Sequence, residues 1–153
     1  MTNDSNAEPT TDIRVATQVH IAAEALVAAF ADGRLGDYFA AFAPDATFLF
    51  HGTPERLTSV AEYLALWQSW VDQDGFRVLG CRSSRPLIQV FGETAVFSHE
   101  VETRISTHGG EETVQERETI VFQLTPGQRS PERWLAVHEH LSPAVPPSAD
   151  CPA

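Results

Sequence analysis

The sequence predicts a single α+β domain in which helices precede an antiparallel sheet. The apolar residues recur with helical spacing up to about residue 72 and with strand-like alternation from residue 76 onward. Gly92-Glu93 and His108-Gly109-Gly110 interrupt the alternating segments as hairpin turns do, and strands joined by hairpins run antiparallel. Helices packed on one face of such a sheet make an α+β fold.

The length and composition of the chain favour one globular domain. The 153 residues suffice for one hydrophobic core and are few for two, and 42% of them are apolar. We expect the folded domain to span residues 12–143. The polar residues 1–11 and the Pro-rich residues 144–153 have the composition of disordered tails.

The net charge argues against two classes of partner. With 21 Asp and Glu residues against 10 Lys and Arg residues, the formal charge is −11, which repels nucleic-acid phosphates and anionic membrane surfaces. No stretch approaches the roughly twenty consecutive apolar residues of a membrane span, and residues 1–12 lack the pattern of a secretion signal. We therefore expect a cytoplasmic protein that binds neither nucleic acid nor membranes.

Cys81 and Cys151 are expected to remain reduced thiols. Cys81 falls in a strand-like segment, whereas Cys151 lies in the Pro-rich tail, so we expect no structural disulfide between them. Two isolated cysteines also cannot build a zinc site on their own.

Two helices are predicted at the start of the domain. The first covers residues 12–32 and is followed by Gly33, which is a common C-terminal stop. The second begins at Leu35 and ends at Pro44, because the proline ring and the missing N–H disfavour further helix.

A third helix is predicted from Ser59 to about residue 72. Ser59 and Glu62 form the capping-box pattern that marks a helix N-terminus. The apolar stripe of this helix consists of Tyr63, Leu66, Trp67 and Trp70.

Six segments alternate in the manner of strands, namely residues 46–51, 76–83, 86–91, 94–106, 113–124 and 133–142. In the last of them, alternation assigns Trp134, Ala136, His138, His140 and Ser142 to one face, and Leu135, Val137, Glu139 and Leu141 to the other. One sheet surface therefore carries several ionisable groups, which suits either a pocket or a self-association surface.

The order of elements and the last two strands resemble those of a known superfamily. Residues 118–122 read Glu-Thr-Ile-Val-Phe, and residues 134–142 read Trp-x-x-Val-His-x-His-x-Ser. Over residues 15–143 the chain resembles the nuclear transport factor 2-like superfamily. Within it, the chain is similar to the association domain of calcium/calmodulin-dependent protein kinase II and to the stand-alone, SnoaL-like bacterial relatives of that domain.

The resemblance implies a cone, in which a strongly curved antiparallel sheet wraps around the long N-terminal helix and leaves a cavity. In such proteins the outer sheet surface commonly mediates dimerisation, so we expect a homodimer. The superfamily includes isomerases, polyketide cyclases, dehydratases and modules that only bind or assemble. Because a fold alone does not choose among these functions, the choice rests on the residues of the cavity.

The chain departs from the kinase association domain at the arginines that line the cavity of that domain. The corresponding positions carry Val101, Ile120 and Leu141. The comparison therefore implies an apolar pocket with carboxylates and a histidine in place of an anion-binding cavity.

If these three residues face the cavity, alternation places further side chains of the same strands beside them. Those side chains are Phe97, His99, Glu116, Glu118, Phe122, Val137 and Glu139. A β-bulge would turn part of this set to the other face. We expect a small-molecule ligand to contact Phe48, Tyr63, Trp67, Phe97, Val101, Glu116, Ile120, Phe122 and Leu141. For Tyr63 and Trp67, plain core packing would give the same stripe.

His99, Glu118 and Glu139 are the predicted catalytic residues. Carboxyl groups in an apolar cavity have raised pKa values, and a neighbouring histidine exchanges protons near neutral pH. This set suits isomerisation, cyclisation or dehydration of a small apolar carbonyl compound without a cofactor. His99 would be the base, and either glutamate the acid or orienting group. Alternatively, a glutamate only forms a structural ion pair with Arg104, Arg117 or Arg133.

The histidines of the last strand allow two further interpretations. His138 and His140 lie two residues apart, so both rings could reach one metal ion together with His51, but no further ligand is defined by spacing. We therefore expect no metal site. Ser142 follows His140 without the Gly-x-Ser-x-Gly turn that presents a serine nucleophile.

An outer sheet face is expected to carry Glu100, Glu102, Arg117 and Thr119 together with the two histidines. Charge pairs among these residues would fit a twofold dimer interface. A non-catalytic ligand-binding or self-association module, like the kinase association domain, is the alternative to an enzyme.

Overall fold

The computed structural model describes residues 8–125 and 133–144, and within them it has the predicted α+β architecture. The elements in chain order are α1 (Glu8–Ala31), α2 (Leu35–Ala40), β1 (Phe42–Phe50), α3 (Val60–Asp74), β2 (Arg77–Phe91), β3 (Thr94–Thr107), β4 (Gly110–Thr125) and β5 (Arg133–Pro143). Cys151 and most of the two predicted tails lie outside the described residues, so disorder of the tails stays a prediction.

The first two helices and β1 differ from their predicted bounds. α1 begins at Glu8 and not at residue 12. α2 ends at Ala40, and Pro44 lies inside β1 and not at the end of a helix. β1 can hold a proline because it is an edge strand, and its pairing with β5 is irregular between Phe42 and Thr47.

The predicted capping box of α3 is confirmed. The Ser59 side chain accepts a hydrogen bond of 3.0 Å from the Glu62 backbone N–H. The Glu62 carboxylate in turn accepts a bond of 2.9 Å from the backbone N–H of Thr58, one residue before the position that the standard motif uses. At the other end, Gly75 closes the helix in the left-handed conformation, with φ of 64°.

The five strands form one sheet in the order β1-β5-β4-β3-β2. The three pairings between sequential strands, from β2 to β5, are antiparallel as predicted. β1 instead runs parallel to β5, so the sheet is mixed. The hairpin rule does not apply to this pair, because most of the chain separates the two strands.

Residues 76–83 and 86–91, which were predicted as two strands, belong to the single strand β2. Its pairing with β3 shifts between Ser84 and Leu87. Arg85 has φ of 53°, and Pro86 has no N–H to donate. The strand therefore bends at this point without ending.

β5 contains a β-bulge at Val137. Val121 of β4 pairs with His138, and the adjacent Phe122 pairs with Ala136, so Val137 has no partner on β4. An extra residue of this kind reverses the alternation of side chains along the strand.

The bulge makes one predicted alternation wrong. Trp134 and Ala136 are 7% and 0% exposed and face the helices, as does the buried Glu139 farther along the strand. His140 is exposed on the opposite face. Trp134 and Ala136 therefore do not share a face with His140. The predicted alternation holds within each part of β5 but not across the bulge.

The core lies between the helices and the sheet face that they cover, which we call the inner face. α1 contributes Val19, Ala23, Leu26 and Ala29 to it. Next to α1, an aromatic cluster consists of Tyr38, Phe39, Phe42, Phe48, Tyr63 and Trp67. Neighbouring rings in this cluster are in contact, for example those of Phe48 and Tyr63 with centroids 4.7 Å apart.

α1 is also long and apolar enough to cross a membrane by length and composition, contrary to the expectation from the sequence. Its segment Ile13–Ala31 has a hydropathy of 1.3. Core helices of soluble proteins meet the same criterion, and four residues of this segment belong to the core described above. The alanines of the segment raise its mean hydropathy although charged residues are interspersed.

Gly75→Ala is expected to lower the free energy of unfolding by about 1–3 kcal/mol. The position has φ of 64°, and a Cβ atom there would lie 2.5 Å from the ring of His108. Urea unfolding measures the change. Gly36→Ala is the control, because a Cβ there meets no atom within 4 Å. Equal stability of the two variants would contradict this account of the α3 terminus.

Candidate functional site

A cavity of about 380 Å³ opens between the inner sheet face, α1 and α3. Most of its wall is apolar or aromatic, formed by Leu26, Val27, Phe30, Phe50, Trp67, Trp70, Phe76, Val101, Ile105, Val114 and Leu141. The polar part of the wall comprises Tyr38, His51, Gly52, Thr53, Tyr63, Asp74, Cys81, Thr103, Thr107, Glu116, Glu118 and Glu139. A volume of this size suits a small organic molecule.

The structure divides the predicted ligand contacts into two groups. On the cavity wall lie Tyr63, Trp67, Val101, Glu116 and Leu141. In the packed core, away from the wall, lie Phe48, Phe97, Ile120 and Phe122, each at most 3% exposed. The second group differs from the prediction because alternation identifies the inner face, whereas the packing of helices decides which part of that face borders a cavity.

His99 is buried behind the cavity wall and not exposed on it. Its Nε2 lies 2.6 Å from Oε1 of Glu118, and its Nδ1 lies 2.6 Å from Oγ of Ser83. The side chain is fully buried. Both ring nitrogens are therefore occupied, and the predicted role of His99 as the base that touches a substrate is inconsistent with this geometry.

Glu118 and Glu139 both line the cavity, and they differ in their partners. Glu118 is paired with His99, whereas the hydroxyl of Tyr38 donates to Oε2 of Glu139 over 3.5 Å. Tyr38 and Tyr63 are joined in turn by a hydroxyl contact of 3.1 Å. The result is a continuous row of polar groups across an apolar cavity.

Burial raises the pKa of Glu139 well above its ordinary value of 4.5, and so do the charge of Glu118 and a hydrogen bond with it. The hydrogen bond from Tyr38 opposes this shift only in part. Burial likewise raises the pKa values of Tyr38 and Tyr63, so both hydroxyls keep their protons. These surroundings favour the neutral, protonated form of Glu139.

Glu116 and His51 form a second pair at a more exposed part of the wall. His51 Nε2 lies 2.5 Å from Oε2 of Glu116, and the two side chains are 38% and 15% exposed. Burial raises the pKa of Glu116, while the hydrogen bond and the charge of His51 lower it in part. This pair joins the turn after β1 to β4 and borders the cavity on that side.

The sequence matches the family model of the SnoaL-like domain over residues 19–146. The chain belongs to the SnoaL-like domain family. This match confirms the family predicted from the last two strands. The sequence has no significant match among curated proteins.

Solved structures show that this SnoaL-like domain has the nuclear transport factor 2-like fold. An NTF2-like protein of unknown function in nutrient uptake from Rhodospirillum rubrum is 20% identical with a TM-score of 0.70, covering 83% of this chain and 98% of its own. The CaMKII hub of S. rosetta is 21% identical with a TM-score of 0.64, covering 84% and 96%. A ketosteroid isomerase-like protein from Erwinia carotovora atroseptica is 16% identical with a TM-score of 0.69, covering 86% and 97%.

The three arginines considered as partners of the cavity glutamates lie at exposed positions. Arg104, Arg117 and Arg133 are exposed and form no ion pair with a carboxylate among the described residues. The glutamates on the wall of this SnoaL-like domain instead contact histidines and a tyrosine. The interpretation that a cavity glutamate only pairs with one of these arginines is therefore not supported.

Several polar residues of the site were not predicted. Tyr38 and Ser83 hold Glu139 and His99, respectively, and Cys81 and Thr103 lie together on the wall. Burial raises the pKa of the Cys81 thiol, and the hydrogen bond from Thr103 lowers it in part. No local sequence signal marks these residues, because contacts between distant elements bring them to the cavity.

The histidines at 51, 138 and 140 do not converge. His51 pairs with Glu116 at the cavity, whereas His138 and His140 lie on the outer sheet face with ring centroids 6.3 Å apart. Thr47 Oγ1 contacts His138 Nδ1 at 2.7 Å. Within residues 8–125 and 133–144, no three His, Cys, Asp or Glu side chains are grouped to hold a metal ion.

The free energy of unfolding is expected to depend on pH in a way that reflects the raised pKa of Glu139. Because its folded pKa lies above 4.5, this group contributes stability that is fully present below pH 4.5 and is lost as pH rises through the folded pKa. Glu139→Gln stays neutral throughout. The free energy of unfolding of the variant, relative to the wild type, should therefore rise with pH above 4.5.

Urea unfolding at a series of pH values measures this difference, in which the effects of groups distant from Glu139 cancel. Glu112→Gln is the matched control, since Glu112 is exposed on the same strand as Glu118. Its curve should run parallel to that of the wild type. Parallel curves for Glu139→Gln as well would show that Glu139 is ionised in the folded protein.

Proposed function

We propose that this SnoaL-like domain is a cytoplasmic, cofactor-independent acid/base enzyme of the isomerase, cyclase or dehydratase type, acting on a small apolar carbonyl compound. The observation that carries the proposal is the pair of carboxyl groups on one apolar wall. Burial favours the protonated form of Glu139, while Glu118 is paired with His99. Two like groups in different environments can act as an acid and as a base.

In the proposed reaction, Glu118 removes a proton from the carbon next to the substrate carbonyl. The electron pair of that C–H bond moves into the carbon skeleton, and the carbonyl oxygen receives the proton of Glu139. Glu118 then returns its proton to another carbon of the conjugated enol, while the enol hydroxyl returns its proton to Glu139. This completes an isomerisation of an unsaturated carbonyl compound, and no electron or group is lost. Tyr38 supports Glu139, because its hydroxyl donates to the carboxylate that remains.

His99 acts in this scheme as a positioning residue. Its Nε2–H holds one oxygen of Glu118, and its Nδ1 is held by the Ser83 hydroxyl when the ring is neutral. Glu118 itself borders the cavity, whereas His99 does not. This arrangement fixes the orientation of the base in the way that a catalytic triad fixes its histidine.

Glu118→Gln is expected to lower enzymatic proton abstraction by at least about 100-fold, because an amide cannot accept the proton. The assay is deuterium exchange next to the carbonyl in a panel of small aryl ketones in D₂O, followed by NMR. Glu112→Gln, which makes the same chemical change at an exposed position of β4 that does not border the cavity, should retain full activity. Exchange that is catalysed equally by the wild type and Glu118→Gln would contradict the proposal.

We also propose that the domain self-associates as a homodimer through the outer sheet face. Arg117 lies opposite Glu100 of β3 and Ser142 of β5 on this face, and Thr119 lies opposite His140. Such a face presents both donors and acceptors to a second copy related by a twofold axis. The similarity to a CaMKII hub is consistent with this arrangement.

Light scattering after size exclusion should give a mass about twice the 16.8 kDa of one chain. Thr119→Arg places a like charge at the centre of the proposed interface and should yield monomers. Gln73→Arg, on the exposed end of α3, should leave the dimer intact. A monomeric wild type, or a dimer unaffected by Thr119→Arg, would contradict this surface.

A further inference from the structure

The cavity wall is acidic and carries no basic side chain other than an imidazole. Its carboxyl groups come from Asp74, Glu116, Glu118 and Glu139, and its imidazole comes from His51. No lysine or arginine is among the described residues that line it. In a site partly shielded from water, these carboxylates attract a cation and repel an anion more strongly than they would in bulk water.

One carboxylate is placed to meet a ligand that extends beyond the acid/base pair. Glu116 lies two residues before Glu118 on β4, and both side chains border the cavity. The side chain of Glu116 is 15% exposed, so it lies between the buried pair and solvent. Its pairing with His51 leaves a carboxylate whose charge is offset only while the imidazole is protonated.

The aromatic part of the wall favours the same kind of ligand. Phe30, Trp67, Trp70 and Phe76 border the cavity, and the rings of Trp67 and Phe76 pack with centroids 5.1 Å apart. Aromatic faces attract ammonium groups and also cover apolar ligand surface. In a ligand that joins an ammonium group to an apolar body, the ammonium group could contact carboxylates and aromatic faces, and the apolar body could pack against the aromatic wall.

We propose that the substrate carries a protonated amine on an apolar body, with the ammonium group beside Glu116 and the apolar part against Trp67 and Trp70. The inference rests on the proposed function in that it names the substrate class of the same cavity. The reacting carbonyl would then lie at Glu118 and Glu139, and the amine would lie toward the more exposed side. Carboxylate ligands are excluded by the same charges.

The test compares three probes with one carbon skeleton, namely phenylbutylamine, phenylbutanol and phenylbutanoate. Isothermal titration calorimetry with the wild-type protein at neutral pH gives each dissociation constant. The amine should bind at least about tenfold more tightly than the alcohol, since a desolvated cation–π or ion-pair contact exceeds the energy of a factor of ten. The carboxylate should bind more weakly than the alcohol.

A variant locates the contact. Glu116→Gln should weaken binding of phenylbutylamine by about tenfold and leave that of phenylbutanol unchanged, because only the ion contact is lost. Glu112→Gln, which makes the same change at an exposed position of β4 that does not border the cavity, should change neither affinity. Asp74→Asn serves as a second variant on the wall, and its smaller effect would assign the ammonium group to Glu116.

The inference is overturned if phenylbutanoate or phenylbutanol binds as tightly as the amine, if none of the three probes binds, or if Glu116→Gln leaves amine affinity unchanged. These outcomes are distinguishable from failure of the proposed enzyme activity. The calorimetric series measures binding alone, whereas the exchange assay with neutral aryl ketones measures proton abstraction alone. Equal binding of the amine and the alcohol would leave the acid/base proposal intact.

Discussion

Two carboxyl groups share one apolar cavity, and they cannot both be ionised there without a large electrostatic cost. Glu118 and Glu139 lie on neighbouring antiparallel strands, where Ile120, two residues after Glu118, is directly opposite Glu139. This diagonal placement lets two long side chains meet across the sheet. The asymmetry of the site follows from their surroundings, because Glu118 contacts the imidazole of His99 while Glu139 contacts the hydroxyl of Tyr38.

The bulge at Val137 makes this placement compatible with the core. Without an extra residue, a strand that points Trp134 and Ala136 toward the helices would point Glu139 toward solvent. With it, both the core residues and the acid lie on the inner face. The same shift leaves His140 on the outer face. The two faces of β5 are thus available for the two proposed roles, ligand binding on the inner face and self-association on the outer face.

Local interactions made much of the fold predictable. The capping box of Ser59 and Glu62 and the hairpin turns each involve residues a few positions apart, so their patterns are visible in the chain. The inward orientation of His99 and Glu118 followed from alternation on strands without a bulge between them. Family resemblance added the expectation of a cavity between the sheet and the long N-terminal helix.

Contacts between distant segments account for what was missed. The parallel pairing of β1 with β5 and the bulge at Val137 depend on how whole strands fit together. The occlusion of His99 depends on Ser83, which lies on a neighbouring strand. The burial of Phe48 depends on the ring of Tyr63 in α3, and alternation along one strand contains no information about that ring.

The central claim is that Glu139 is a neutral acid in the folded protein at neutral pH, and infrared spectroscopy tests it most directly. A protonated carboxyl group has a carbonyl stretching band separate from those of carboxylates. The wild type and Glu118→Gln should show this band at neutral pH, and Glu139→Gln should lack it. Absence of the band from the wild type, or its retention in Glu139→Gln, would contradict the account.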